Sequence, residues 1–230
     1  MIPSFPIPRL LLIGNRFSRP EIADVIIAAV ESGVTWVQLR DHEIGDEEFK
    51  EAAFRITDRI RAVSGGALIS INTRIQIASR LSIGGGPTAG IHIGTRGPSV
   101  EETRRTLRAD TPVGVSVHSV DQISGGGIDY FLWSPVFPTA SKPGNSGTGI
   151  QELGSAVKAA KPIPVIALGG ITPENTEECL RTRAHGVAVL SGILSAENIA
   201  ETVGRYLASI AEVYPVTDPT ENMFERGLST

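Results

Sequence analysis

A chain of 230 residues, 41% hydrophobic and 20% charged, has the make-up of an ordinary globular protein, and its length demands no more than one domain. Its net charge of -4 argues against a surface built for nucleic acid but leaves room for a small basic pocket that holds one phosphate. A lone cysteine, Cys179, excludes an internal disulfide framework, and no apolar run reaches membrane-spanning length. The first residues lack the charged and long apolar regions of a secretory signal, so a cytoplasmic protein without membrane or nucleic-acid partners is expected.

Short apolar runs alternate with longer stretches of helical period along the chain. Residues 9–14 read as a first strand, and residues 20–31 as a helix with Ser18 as its candidate cap and Pro20 in its first turn. Residues 35–40 form a second strand. Residues 46–62 form a second helix with Phe49, Ala52, Ala53, Ile56 and Ile60 on one face. A third strand, 67–71, precedes a short helix, 75–81; a fourth, 89–93, precedes a helix, 99–108. The fifth strand, 112–117, leads to a brief helix near 120–123. The sixth, 130–133, leads through a long loop to a helix over 149–160. Strands 164–168 and 186–190 carry the helices 173–181 and 196–211.

Eight strands alternating with eight helices point to parallel pairing, and the nearly continuous apolar strands fit a sheet covered on both faces. A doubly wound open sheet gives the same alternation. The count of eight, and the lack of a GxGxxG in the first turn, favour a closed single-domain (β/α)₈ barrel over residues 1–214. Residues 215–230, with Pro215 and Pro219, read as an extended or disordered tail.

In such a barrel the chemistry sits just after each strand. Gly169 and Gly170 follow strand seven, and Leu190, Ser191 and Gly192 follow strand eight. Glycines there let backbone N–H groups approach an anion, with a helix start behind them, so this pair of loops reads as a phosphate site. The long loop after strand six offers Thr139, Ser141 and Lys142, two hydroxyls and a cation suited to phosphate oxygens. Ser116 and His118 share a face at the end of strand five, where a histidine can act as acid or base near neutral pH. Gln38 and Arg40 share a face of strand two; a buried arginine there needs a partner carboxylate or an anionic ligand. Asn72 places an amide at the rim of strand three. His92 reads as filling the barrel interior, His185 as lying at the opposite end, and Cys179 as packing.

Seven short motifs in order resemble the thiamine phosphate synthase and thiazole tautomerase (TenI) family over roughly residues 9–211. They are VQLRD at 37–41, INTR at 71–74, GIHIG at 90–94, GVSVHS at 114–119, DYFLWSPVFPTASK at 129–142, PVIALGGITPEN at 164–175 and GVAVLSGI at 186–193. The resemblance implies a (β/α)₈ barrel and one of two chemistries. The synthase branch joins a pyrimidine diphosphate to a thiazole phosphate with Mg²⁺. Its pattern would have an acid after Asn72, where Thr73 stands, a second at Gly97, and a lysine at His42. Thr73 and Gly97 supply no charge for a hard cation, so no metal is expected unless the chain is a synthase after all. Thr139, Ser141 and Lys142 remain synthase-like. The tautomerase branch needs no metal, and in it the histidine of the GxSVHS motif, here His118, is the acid/base residue.

The resemblance therefore implies a metal-independent tautomerase that aromatises a phosphorylated, carboxylated dihydrothiazole. Arg40 or Lys142 is available for the carboxylate. A divergent synthase, and a non-catalytic protein that binds thiazole phosphate in a regulatory role, are the alternatives. The family also allows a homodimer.

Overall fold

A computed structural model describes residues 7–82, 89–94, 97–139 and 146–215. The elements run β1 (Leu10–Asn15), α1 (Pro20–Glu31), β2 (Trp36–Arg40), α2 (Asp46–Val63), β3 (Leu68–Asn72), α3 (Ile75–Ser82), β4 (Ala89–Ile93) and α4 (Val100–Thr106). They continue with β5 (Val113–Val117), a 3₁₀ turn (Val120–Gln122), β6 (Tyr130–Trp133), α5 (Gly149–Ala160), β7 (Val165–Leu168), α6 (Pro173–Arg181), β8 (Gly186–Val189), α7 (Ser191–Leu194) and α8 (Ile199–Val213). All eight strands pair in parallel and in sequence order, and β8 closes on β1. The fold is a (β/α)₈ barrel.

Strand alternation sorts the side chains into two populations. Residues such as Leu12, Val37, Ile69, Ile91, Phe131 and Val187 point outward and pack under the helices in one continuous core. On α2, for example, Phe49, Ala53, Ile56 and Ile60 are buried on one face, each larger side chain contributing about 1.5–3 kcal/mol. The inward set is different. Leu11, Ile13, Leu132, Ile166 and Ala188 form an apolar half from β6 round to β1, closed below by Trp36, Leu68 and Tyr130. From β2 to β5 the same inward positions hold Gln38, Ser70, Asn72, His92 and Ser116. The Tyr130 ring occupies the space of a missing side chain at Gly114, where a Cβ would lie 1.9 Å from the ring.

Three sequence expectations change. Ser18 does not cap α1; Arg19 holds the cap position without a side-chain bond, and Ser18 donates to Asp41 Oδ2 at 2.7 Å instead. Proline at the first turn removes the need for one capped donor. The last helix starts at Ile199, three residues later than residue 196 and capped by Asn198, and runs on to Val213. A separate short helix, α7, sits between β8 and α8. The tail expected over residues 215–230 lies outside the described residues beyond Pro215. Among the described residues no helix is long and apolar enough to cross a membrane.

Candidate active site

The C-terminal ends of the strands open into a cavity of about 1050 Å³. Its lining brings together Gln38, Arg40, Asn72, Ser116, His118 and Thr139 with Gly169, Gly170, Leu190 and Ser191. Ser141 and Lys142 lie outside the described residues. Gly192 is not part of the lining. An added Cβ on it would stand 2.4 Å from the Tyr206 hydroxyl oxygen of α8.

His118 ends up with one ring nitrogen committed. Nδ1 lies 2.5 Å from the Ser134 carbonyl oxygen, and a carbonyl only accepts, so Nδ1 carries the proton of the neutral ring. Nε2 is then the basic nitrogen. The backbone N–H of His118 donates to Gln122 Oε1 at 2.6 Å, which ties the strand end to the 3₁₀ turn behind it.

His92 does more than fill the interior. It lines the cavity floor yet is 1% exposed, with Nε2 2.8 Å from Ser116 Oγ and Nδ1 3.2 Å from the Tyr130 hydroxyl. Burial drives its pKa down to about 3, so it is neutral. His185 lies at the other end, bonded to the Ile7 carbonyl, as its place before β8 requires. Cys179 is buried, and burial pushes its thiol up to about 12, which suits packing and not nucleophilic work.

The wall from β1 to β3 is built of donors. Arg40 is half-buried and donates from Nη1 to Asn15 Oδ1. Burial lowers its pKa, opposed by Asp41, yet a guanidinium stays charged. Gln38 is 1% exposed and belongs to the cavity lining, and its buried Nε2 has no hydrogen-bond partner. His42 has its pKa lowered by partial burial and then by Arg40 and Arg74. Asn15 and Arg16 also line the cavity. Neither belongs to a motif, but Asn15 ends β1 and Arg16 follows it, and the strand-end rule applied to that strand would have found them. Two arginines and three histidines thus face the cavity, and no carboxylate does among the described lining residues.

The turn after β7 is left-handed at both of its glycines. Gly169 and Gly170 have φ of 103° and 64°, conformations open to glycine. Their backbone is pressed against the β6 loop: a Cβ on Gly170 would lie 2.5 Å from the Pro138 carbonyl oxygen.

Mg²⁺, which the synthase branch implies, needs carboxylate oxygens. At the two rim positions stand Thr73 and Gly97. The carboxylates that follow β2 are engaged elsewhere. Asp41 accepts from Ser18 and from the Glu43 N–H, Glu43 pairs with Arg16 and Arg19, and Asp46 pairs with Arg74. Among the described residues no cluster of three or more histidine, cysteine, aspartate or glutamate side chains could hold a metal ion. The residues present do not fit Mg²⁺.

Comparison with known proteins agrees with the fold and the motifs. Residues 10–193 match the family described as thiamine monophosphate synthase. A thiamine-phosphate synthase of Enterococcus faecalis is 35% identical over 190 residues, covering 81% of this chain and 86% of the relative. One from Psychrobacter sp. is 32% identical over 184 residues, covering 77% and 82%. Among solved structures, the thiamine phosphate pyrophosphorylase from Pyrococcus furiosus superposes with a TM-score of 0.76 at 27% identity, covering 89% of this chain and 96% of its own. The chain belongs to the thiamine monophosphate synthase family, a family of enzymes of thiamine biosynthesis.

Proposed function

We propose that this chain is a metal-independent thiazole tautomerase. The observation that carries the reading is a histidine whose Nδ1 is engaged by a backbone carbonyl, leaving Nε2 as the basic nitrogen, beside a cavity whose described lining holds cations and donors but no carboxylate. The substrate is a phosphorylated, carboxylated dihydrothiazole. Its phosphate sits against the Gly169–Gly170 turn and the Leu190–Ser191 turn, and its carboxylate is drawn to Arg40, with Lys142 of the long loop as the other candidate. His118 Nε2 takes the proton from the ring carbon that bears the carboxylate. The electron pair delocalises through the ring, and the same nitrogen returns the proton to the exocyclic carbon. One C–H bond breaks, another forms, and the ring becomes aromatic. A placed base of this kind contributes about 10²- to 10⁴-fold.

The test is a coupled assay fed by thiazole synthase product, on wild type and His118→Ala, with Mg²⁺ and with EDTA. Aromatisation that survives EDTA and is lost in the variant is the expected result. A variant with full activity would remove His118 from the mechanism.

The names of the relatives, together with Thr139 in the cavity lining, favour a second reading, a divergent synthase. It would join hydroxymethylpyrimidine diphosphate to thiazole phosphate. Mg²⁺-dependent pyrophosphate release in the same assay would select it over the tautomerase.

A further inference from the structure

Thr73 sits at the rim of β3 with φ of 67°, a left-handed conformation in which a β-branched residue is strained. Glycine, asparagine or aspartate would take that turn more easily. The backbone holds it there: the Thr73 N–H donates to the His92 carbonyl at 2.9 Å, and the Arg74 N–H donates to the Asn72 carbonyl at 2.8 Å. What threonine adds is a short hydroxyl, which donates to Asn72 Oδ1 at 3.2 Å. That bond turns the carboxamide oxygen towards Thr73 and makes the NH₂ edge the side available to a ligand. Asn72 is 8% exposed and lines the cavity, so its orientation is held by packing as well. Beside it, Asn15 orients Arg40 in the same manner, by accepting from Nη1. Leu39 stands opposite Ile71 in the β2–β3 register, so the next residues, Arg40 and Asn72, are neighbours at the rim.

We infer that Thr73 is a positioning residue whose hydroxyl sets the Asn72 carboxamide as a donor that, beside Arg40, takes the carboxylate of the substrate. The identity of that anion rests on the tautomerase reading. A carboxylate held by a guanidinium and an amide needs no cation. An acidic side chain at position 73 would repel it. The strained threonine therefore belongs to a rim that receives negative charge directly.

The experiment is isothermal titration of the full chain with two probes, the thiazole phosphate carboxylate and thiazole phosphate without the carboxylate. The proteins are wild type, Thr73→Val and Thr73→Ser, with thermal midpoints confirming that each is folded. Valine keeps the β-branch, and so the backbone strain, and removes only the hydroxyl. Wild type is expected to prefer the carboxylated probe. Thr73→Val is expected to lose roughly fivefold of that preference while binding the uncarboxylated probe within about twofold of wild type, and Thr73→Ser to restore it. Equal binding of the two probes by wild type, or an undiminished preference in Thr73→Val, overturns the inference. Turnover is not needed. A wild type that discriminates but does not aromatise would sink the proposed reaction and leave this inference standing.

Discussion

His92 Nε2 and Ser116 Oγ lie 2.8 Å apart on adjacent strands, with the Tyr130 hydroxyl at the other ring nitrogen. Both nitrogens of this buried ring have partners inside the barrel. His118, by contrast, spends only Nδ1 on its scaffold. The two histidines face one cavity with different capacities for proton transfer.

The first consequence is acid lability. Burial holds folded His92 near 3, whereas its ordinary value is 6.5. Below that ordinary value the unfolded chain binds a proton that the folded chain refuses. Stability therefore falls as pH drops, by up to about 1.4 kcal/mol per unit, and the loss continues towards the folded value. His185, also lowered chiefly by burial, acts in the same direction. Urea unfolding at pH 7 and pH 5 should show a smaller drop in midpoint for His92→Gln than for wild type. Identical drops would mean that the acid sensitivity originates elsewhere.

Gln122 receives the His118 backbone N–H from outside the cavity. Gln122→Ala should lower kcat by about tenfold through a looser ring, with KM nearly unchanged, because the substrate-holding loops are on other strands. Steady-state kinetics on the proposed substrate decide it; a rise in KM alone would assign Gln122 to binding.

At Gly170, φ of 64° and the nearby Pro138 carbonyl leave no room for a side chain. Gly170→Ala should cost about 1–2 kcal/mol in left-handed strain alone and more from the clash. Its thermal midpoint should fall, and its affinity for thiazole phosphate should fall with it. Full affinity in a destabilised variant would place the phosphate away from this turn.

The rim lacks ligands for a hard cation. A ligand that binds the native state raises its stability by mass action, so millimolar Mg²⁺ compared with EDTA should leave the thermal midpoint unmoved. A clear upward shift would reveal a cation site that the described residues do not form.

The barrel was legible because its strands are continuous apolar runs and its helices keep their period; β4, β6, α1, α5 and α6 begin and end where the pattern places them. The short α7 was not, since four residues carry no periodicity. Ser18 looked like a cap from its position, but Asp41 lies close in space and far in sequence, and it claims the hydroxyl. The site divided in the same way. His118, Arg40 and the glycine turns follow from strand ends, as Asn15 does, whereas the contact by which Asn15 orients Arg40 joins two strands and shows only in the structure. The left-handed turn at Thr73 is likewise invisible in a string of letters, because threonine signals the opposite preference.

The division of the barrel interior into an apolar arc from β6 to β1 and a polar arc from β2 to β5 bears on stereochemistry. A flat heterocycle with one polar edge can settle against such walls in one face orientation only. A single histidine then meets one face of the ring and must collect and deliver its proton on that same side. Run in deuterated water, the proposed reaction would place label on one prochiral position of the exocyclic carbon, and only one hand of the dihydrothiazole would be consumed.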